Sequence, residues 1–466
     1  MTLSPTAPTA APMSTTELAD AYPTVAGVTA TAAAFARRHP GLAALREIGR
    51  SREGRPLQLL SYGRGRRNVL VVAGPHSDER IGSATALRLA ERVAADPYLH
   101  ARSDTTWHFL LCLDPDGTVR SEQGPAIRRT PAAHFRHSYR PPADEQPEWA
   151  PSIRAADDQL PESRVLVELI DELRPFLQCS LHGNDLGGSW IQLTRDVPGL
   201  AEPLGKLSAE RDVPVQTGTY DAMYWTVSGP GVYVMPEPGQ PAQFDSLPED
   251  VNRSTWIRPH HYGGMTALFE VPMWASSRVA DTEPHPDPAR ALAGLATLLR
   301  RQSDWTGALL GEIRPLLPSG GVSGATSPVG GLAARRGTLL RIAEGLAAIC
   351  PKVADDWERL HTPPVQLTRA HLTALDIAAR RLSLRAAGTL LRLLDGLPGT
   401  PGGPGGSGGA AITGPQTRVR VRCERQLTRW ADELAAGHDL AWVPVADQVD
   451  LQSETVLAAF RLISEA

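Results

Sequence analysis

The chain has 466 residues, with 47 basic and 51 acidic side chains and a formal net charge of -4. That length exceeds a single small core and suggests more than one domain, and the near-even charge balance leaves no electrostatic footprint for nucleic acid or an anionic membrane surface. The four cysteines, Cys112, Cys179, Cys350 and Cys423, stand far apart without a C-x-x-C pair, which reads as reduced, buried thiols and excludes a disulfide framework.

Residues 1–18 are rich in Pro, Ala, Thr and Ser and are expected to be disordered. They carry neither a basic n-region nor an apolar h-region, and no stretch of the chain approaches a transmembrane helix in length, so a cytoplasmic protein without membrane contact is expected. From residue 20 to about 285, short β-rich runs alternate with longer amphipathic ones, the pattern of an α/β domain. "NVLVVAG" (68–74) reads as a strand buried on both faces. The helix behind it (83–95) puts Ala86, Leu87, Ala90 and Val93 on one side. Strands follow at 107–115, 176–183 and 264–274, with a helix at 161–173. A helix from Pro286 to about Leu316 is expected to close this domain, which therefore spans 19–316. The region 317–466 is expected to be mainly helical, with stripes at Leu339, Ile342, Leu346 and Ile349 and at Leu372, Leu375, Ala379 and Leu382. Within it, segment 398–409 is almost all Gly and Pro and reads as a flexible linker or loop. The basic run "TRVRVRCER" (417–425) reads as a solvated face.

The chemistry gathers at strand ends. "VLVVAGPHSDERIG" (69–82) is an apolar strand that delivers His76 and Glu79, three positions apart, within reach of one point. "CSLHGNDLGGSW" ends a second strand in His182. Ligand groups in an open α/β sheet collect at the strands' carboxyl ends, so His76, Glu79 and His182 have a reason to converge as a His₂Glu set with a fourth position for water. Glu270 sits between Phe269 and Val271 in "TALFEVPMW", an apolar strand where a carboxylate is costly unless paired, hydrated or functional. Beside a metal-activated water it is the expected general base.

Five motifs then resemble one family in order and spacing. They are "IGRSREGRPLQLLSYG" (48–63), "GPHSDERIG", "DPDGT" (114–118), "SLHG" and "TALFEVP", and they are similar to those of the zinc metallocarboxypeptidases, the carboxypeptidase A-like peptidases. The resemblance implies a mixed twisted sheet flanked by helices, with one Zn²⁺ held at strand carboxyl ends by His76, Glu79 and His182 and with Glu270 as general base. It also implies an arginine shortly after the "DPDGT" turn that polarises the scissile carbonyl, for which Arg128 and Arg129 qualify. The family's Asn-Arg carboxylate grip has no match, because "AHFRHSYRPP" (133–142) offers Arg136 and Arg140 but no asparagine. Tyr233 and Tyr262 both qualify as the family's mobile tyrosine. The implied activity is zinc-dependent cleavage of a C-terminal peptide or amide bond, on a peptide or small amide substrate. An aspartoacylase-type deacylase of small N-acyl substrates is the alternative, and a non-catalytic binding scaffold a third reading. Oligomeric state is left open.

Overall fold

A computed structural model of the chain describes residues 21–125, 128–223, 225–236, 250–317, 328–359, 366–395, 397 and 414–465. Segments 1–18 and 398–409, expected to be disordered and flexible, lie outside the described residues. In chain order the elements are α1 (Val25–Arg38), β1 (Ala43–Arg50), β2 (Pro56–Tyr62), β3 (Arg67–Ala73), α2 (Ile81–Ala95), β4 (Thr105–Leu110), α3 (Pro115–Ser121), α4 (Pro131–His137), α5 (Ala150–Ile153), α6 (Pro161–Leu173), β5 (Leu177–Gly187), β6 (Trp190–Leu193) and α7 (Ala201–Ala209). There follow β7 (Thr226–Gly229), β8 (Val232–Val234), β9 (Met265–Ala275), α8 (Pro288–Ile313), α9 (Pro328–Arg359), α10 (Arg369–Asp395), α11 (Pro415–His438), β10 (Ala441–Trp442) and α12 (Val445–Glu465).

The strands form one mixed sheet in the order β1-β2-β4-β3-β5-β9-β6-β8-β7, with β10 added to β9. Its centre, β4-β3-β5-β9, is parallel, while the β1-β2, β2-β4 and β6-β9 pairs are antiparallel. β3 is apolar on both faces because both faces are covered. Val69 and Val71 pack with Ala86, Leu87, Ala90 and Val93 of α2, whereas Leu70 and Val72 pack with Leu166, Leu169 and Ile170 of α6. The period of two along the strand sorts these side chains to opposite faces. All four cysteines are free and buried. Among the described residues no helix is long and apolar enough to cross a membrane.

The structure closes the sheet differently from the expectation. α8, read as the closing helix, packs Leu292, Ala296 and Leu299 against Trp357 of α9 and Leu375 and Ala379 of α10. Its other end, Leu309, Leu310 and Ile313, shares a second cluster with Leu186 of β5 and Met273 and Trp274 of β9 as well as with helices α10 and α11. The sheet is instead covered by α12, at the far end of the chain, whose Val456, Leu457, Ala459 and Phe460 belong to the same core as Val69 and Val71. Phe460 lies 4.9 Å from the Trp107 ring. Helices α8 to α11 are therefore an excursion between β9 and β10, and the chain returns to pair Trp442 with Trp274 before α12 docks. A division at residue 316 separates in sequence what is packed together in space.

Removing the Phe460 ring leaves a cavity in this shared core. Phe460→Ala should lower the unfolding free energy by about 3–5 kcal/mol, the usual cost of emptying a buried aromatic site, as read from denaturant midpoints. A loss below ~1 kcal/mol would mean that α12 contributes little to the sheet domain.

His108 on β4 gives a pH test. It bonds Ser61 Oγ through Nδ1 at 2.9 Å and Asn68 Oδ1 through Nε2 at 3.1 Å, a pairing that a neutral ring satisfies with one donor and one acceptor. Burial, reinforced by Arg46, pushes its pKa down to about 4. As pH falls, the unfolded chain takes up the proton first, so this group's stabilisation is complete above its ordinary value near 6.5 and is lost as pH falls through about 4. Stability measured by urea unfolding should fall more steeply between pH 6.5 and 4 in the parent than in His108→Gln. Parallel slopes would show that the ring takes up its proton equally in both states.

Candidate active site

The site lies just past the carboxyl end of β3 and, level with it, in the middle of β5 and β9: His182, expected to end its strand, is instead followed by β5 residues up to Gly187, and β9 runs beyond Glu270 to Ala275. β3 is followed by Gly74, whose φ of +61° turns the chain sharply into the His76–Glu79 segment. Within that segment the Glu79 amide donates to the His76 carbonyl at 2.9 Å. Behind it lies the "DPDGT" turn, with Asp114 capping α3 through the Gly117 amide at 2.9 Å. A Cβ on Gly117 would come within 2.5 Å of Ser77 Cβ, so only glycine lets the two turns touch. Asp116 in turn accepts from Ser51 Oγ, the Glu53 amide and Arg55 at 2.7, 2.9 and 2.7 Å. The "SREGR" motif is thus a brace for the turn that supports His76 and Glu79.

His182 and Glu270 are brought together by register. They are direct partners across the parallel β5-β9 pair, and His182 Nδ1 lies 3.9 Å from Glu270 Oε1. Glu79 bridges the two imidazoles, with Oε1 3.1 Å from His76 Nδ1 and Oε2 3.2 Å from His182 Nδ1. It also accepts from the Gly183 amide at 3.1 Å. Donors on a tetrahedral zinc, each about 2.0–2.1 Å from the ion, lie roughly 3.3 Å apart. Each imidazole nitrogen is thus separated from a Glu79 oxygen by a distance of the size found between donors on one zinc ion.

A buried glutamate that the sequence reading missed completes the cluster. Glu148 accepts from Ser180 Oγ at 2.7 Å and pairs with His182 Nε2 at 3.0 Å. His76, Glu148 and His182 each offer a donor atom within 4.8 Å of the others. Because Glu148 holds the nitrogen remote from Glu79, its geometry is that of a carboxylate that orients a ligating histidine. The one signal for it in sequence is an acidic residue between Pro147 and Trp149.

Burial alone would raise the Glu79 carboxyl, but His76, Arg140 and His182 hold it well below the usual carboxylate range. Burial likewise opposes charge on His182, yet Glu148 and Glu79 hold its imidazole well above the ordinary histidine value. His76 moves the other way, since burial and Arg140 push it down to about 4. Burial also pushes Glu270 up to about 8, with His182 opposing and Glu79 and Asp221 adding to the rise.

Of the arginines singled out in sequence, one reaches the cavity. Arg140 contacts Glu79 at 2.6 Å, His76 Nδ1 at 2.7 Å and Asp78 at 3.2 Å. Arg136 is turned away into an ion pair with Asp395. Arg128 spends its guanidinium on the carbonyls of Ser121, Gln123 and Pro125, and Arg129 is exposed outside the cavity lining. Neither tyrosine faces the cavity. Tyr233 is buried, donating to the Gln216 carbonyl at 3.0 Å, and Tyr262 bonds Asp171 at 2.8 Å. Tyr220 lines the cavity instead.

The cavity has a volume of about 280 Å³. One wall is aromatic, from Trp149, Trp190, Trp225 and Trp256, and the opposite wall comes from α10 through Ala374, Ile377, Ala378, Arg381 and Arg385. Sequence reading placed no α10 residue here.

The mixed α/β sheet thus brings two imidazoles and several carboxylates together at one cavity. Residues 28–187, which hold His76, Glu79, Glu148 and His182, match the family model of the zinc carboxypeptidases. Among curated proteins none matches the chain. Similar solved structures include a metallo-carboxypeptidase from Burkholderia cenocepacia, at 20% identity over 53% of this chain and 60% of that one with a TM-score of 0.34. Carboxypeptidase A from Helicoverpa armigera is similar at 15% identity over 55% of this chain and 66% of that one, with a TM-score of 0.36. A Pseudomonas aeruginosa metallo-carboxypeptidase in complex with (2-guanidinoethylmercapto)succinic acid is similar at 15% identity over 52% and 59%, with a TM-score of 0.31. The chain thus spans 60% of the length of the Burkholderia structure.

His76→Ala and His182→Ala should each purify with far less zinc than the parent by elemental analysis. Glu148→Gln should retain the ion but bind it about 10–100-fold more weakly, the usual effect of losing a carboxylate behind a ligating histidine. Chelator competition reads that affinity, and an unchanged value would assign Glu148 to packing alone.

Proposed function

We propose that this chain is a zinc-dependent hydrolase that cleaves a C-terminal peptide or amide bond, with His76, Glu79 and His182 as the ligands of one ion and Glu270 as general base. The observation that carries the reading is the register partnership of His182 and Glu270, which sets a buried carboxylate beside the donor set. Zinc held there would polarise the scissile carbonyl and lower the pKa of a water molecule. Glu270 accepts a proton from the attacking water and delivers it to the leaving nitrogen. Burial fits it for this work, because a carboxylate with a raised pKa is a stronger proton acceptor than a solvated one. Glu148 keeps the His182 ring oriented with Nδ1 toward Glu79. Arg140 is the guanidinium nearest the donors and faces the negative charge that develops on the carbonyl oxygen.

The small cavity under α10 also favours compact substrates, which keeps the N-acyl amino acid reading as the second choice. Parallel assay of N-blocked dipeptides and N-acyl amino acids separates the two. Glu270→Gln preserves shape and removes the proton acceptor. With zinc content and fold unchanged, kcat should fall on the order of 10²–10⁴, with KM moving far less. A zinc-loaded Glu270→Gln protein as active as the parent would end the general-base assignment.

A further inference from the structure

Between His76 and Glu79 the same turn carries a third ionisable group, and its partners come from two separate parts of the fold. Asp78 is buried and meets two guanidinium groups, Arg140 at 3.2 Å from Oδ1 and Arg385 at 3.2 Å from Oδ2. Arg385 belongs to α10, and its Nη2 also lies 2.9 Å from Asp185 of β5. One side chain of the excursion α8–α11 thus joins the turn of His76 and Glu79 to the strand of His182. Asp78 and Asp185 are both withdrawn from water, so removing the cation they share leaves buried charge undercompensated.

α10 is a rigid support for this contact. A Cβ at Gly388 would meet the Phe135 carbonyl oxygen at 1.9 Å, so the helix backbone lies directly on α4. Arg392 donates to the carbonyls of His137 at 2.6 Å and Arg120 at 3.1 Å. Asp185 is held in turn by His134 of α4, whose Nε2 is 2.8 Å from Oδ1.

The contacts of Arg140 divide into two kinds. Glu79 at 2.6 Å and His76 Nδ1 at 2.7 Å are groups that a metal ion would engage, whereas Asp78 and the Gln146 Oε1 atom, at 3.2 and 3.5 Å, stand outside the donor set. Of these last two, Asp78 carries the charge. It is the anion that keeps Arg140 beside the site when the donors serve an ion, and Arg385 is what ties that anion to β5.

We propose that Arg385, supplied by the inserted helix α10, is a positioning residue for catalysis: it holds Asp78, and through Asp78 it aims the Arg140 guanidinium at the reacting carbonyl. This inference rests on the hydrolase reading above. The excursion then completes the active site as well as walling it.

The test is a double-mutant cycle on the full-length, zinc-loaded protein, with an N-acetylated dipeptide ending in phenylalanine as substrate. Arg385→Gln should lower kcat about 10–100-fold, the usual effect of losing a charged group behind a functional one, while KM and zinc content change little. In an Arg140→Gln background the same substitution should change kcat by less than about 2-fold, the scatter of independent substitutions, because the residue it positions is gone. An Arg385 that merely supports the fold would cost the same factor in both backgrounds, and equal factors overturn the proposal. Arg385→Lys keeps the charge and loses the planar fork, so its kcat should fall between those of the parent and Arg385→Gln. If Arg385→Gln does not fold, Arg385→Lys takes its place in the cycle: a loss confined to the background that retains Arg140 supports the proposal, and no loss, or an equal loss in both, overturns it. The second readout needs no turnover. In a crystal structure of the Arg385 variant the Arg140 guanidinium should be displaced from Asp78, and retention of the 3.2 Å contact overturns the proposal. If the parent does not hydrolyse the dipeptide, the hydrolase reading fails, and that crystal structure alone decides whether Arg385 positions Arg140.

Discussion

The organisation of this protein depends on keeping His76, Glu79, Glu148, His182 and Glu270 together at a sheet edge that is largely withdrawn from water. Unpaired charges in such a place are expensive, and each must find a partner of opposite sign or a hydrogen-bond donor. Glu79 answers with two imidazoles, Arg140 and the Gly183 amide. Glu148 answers with Ser180 and His182. Glu270, with the fewest partners, is the group that burial pushes toward its neutral form. The asymmetry is one of anchoring: Glu79 and Glu148 are fixed by several partners, and Glu270 is not.

Holding that cluster requires rigid surroundings, and these come from distant parts of the chain. The "SREGR" turn braces Asp116, which supports the turn beneath His76. At the other end of the sequence, Gln452 of α12 donates to the carbonyls of His182 and Phe269 at 2.5 and 2.8 Å. One buried amide thereby ties together the two strands whose relative register sets the distance from His182 to Glu270. The last helix is for this reason as much a part of the site as of the core, and the excursion α8–α11 hangs between two elements of the same sheet.

That insertion also changes the cavity. By laying α10 across the carboxyl edge, the fold puts a wall of small residues and arginines opposite the tryptophans and narrows the space that a substrate can enter. Asp185 is paired with both His134 of α4 and Arg385 of α10 at 2.8 and 2.9 Å, so the wall is joined to the catalytic sheet by buried charge as well as by apolar contact.

The local parts of this arrangement are legible in the sequence because local physics determines them. The continuous apolar run of β3, the helical stripe of α2, the three-residue separation of His76 and Glu79 and the anomaly of Glu270 in an apolar strand all follow from the periods of strand and helix and from the cost of burying charge. The arginines are not legible in this way. A guanidinium sits at the end of a long flexible stem, so its destination depends on which acceptors the fold brings near, and these are Asp395 for Arg136, loop carbonyls for Arg128 and Asp78 and Glu79 for Arg140. Glu148, Arg381 and Gln452 reach the site from segments separated by up to hundreds of positions, with no local pattern to announce them. The sequence by itself determined which strands would carry His76, Glu79, His182 and Glu270. Only the tertiary structure decided which carboxylate orients His182, which helix closes the sheet and which cation faces the cavity, because those choices are made by packing between elements that share no periodicity.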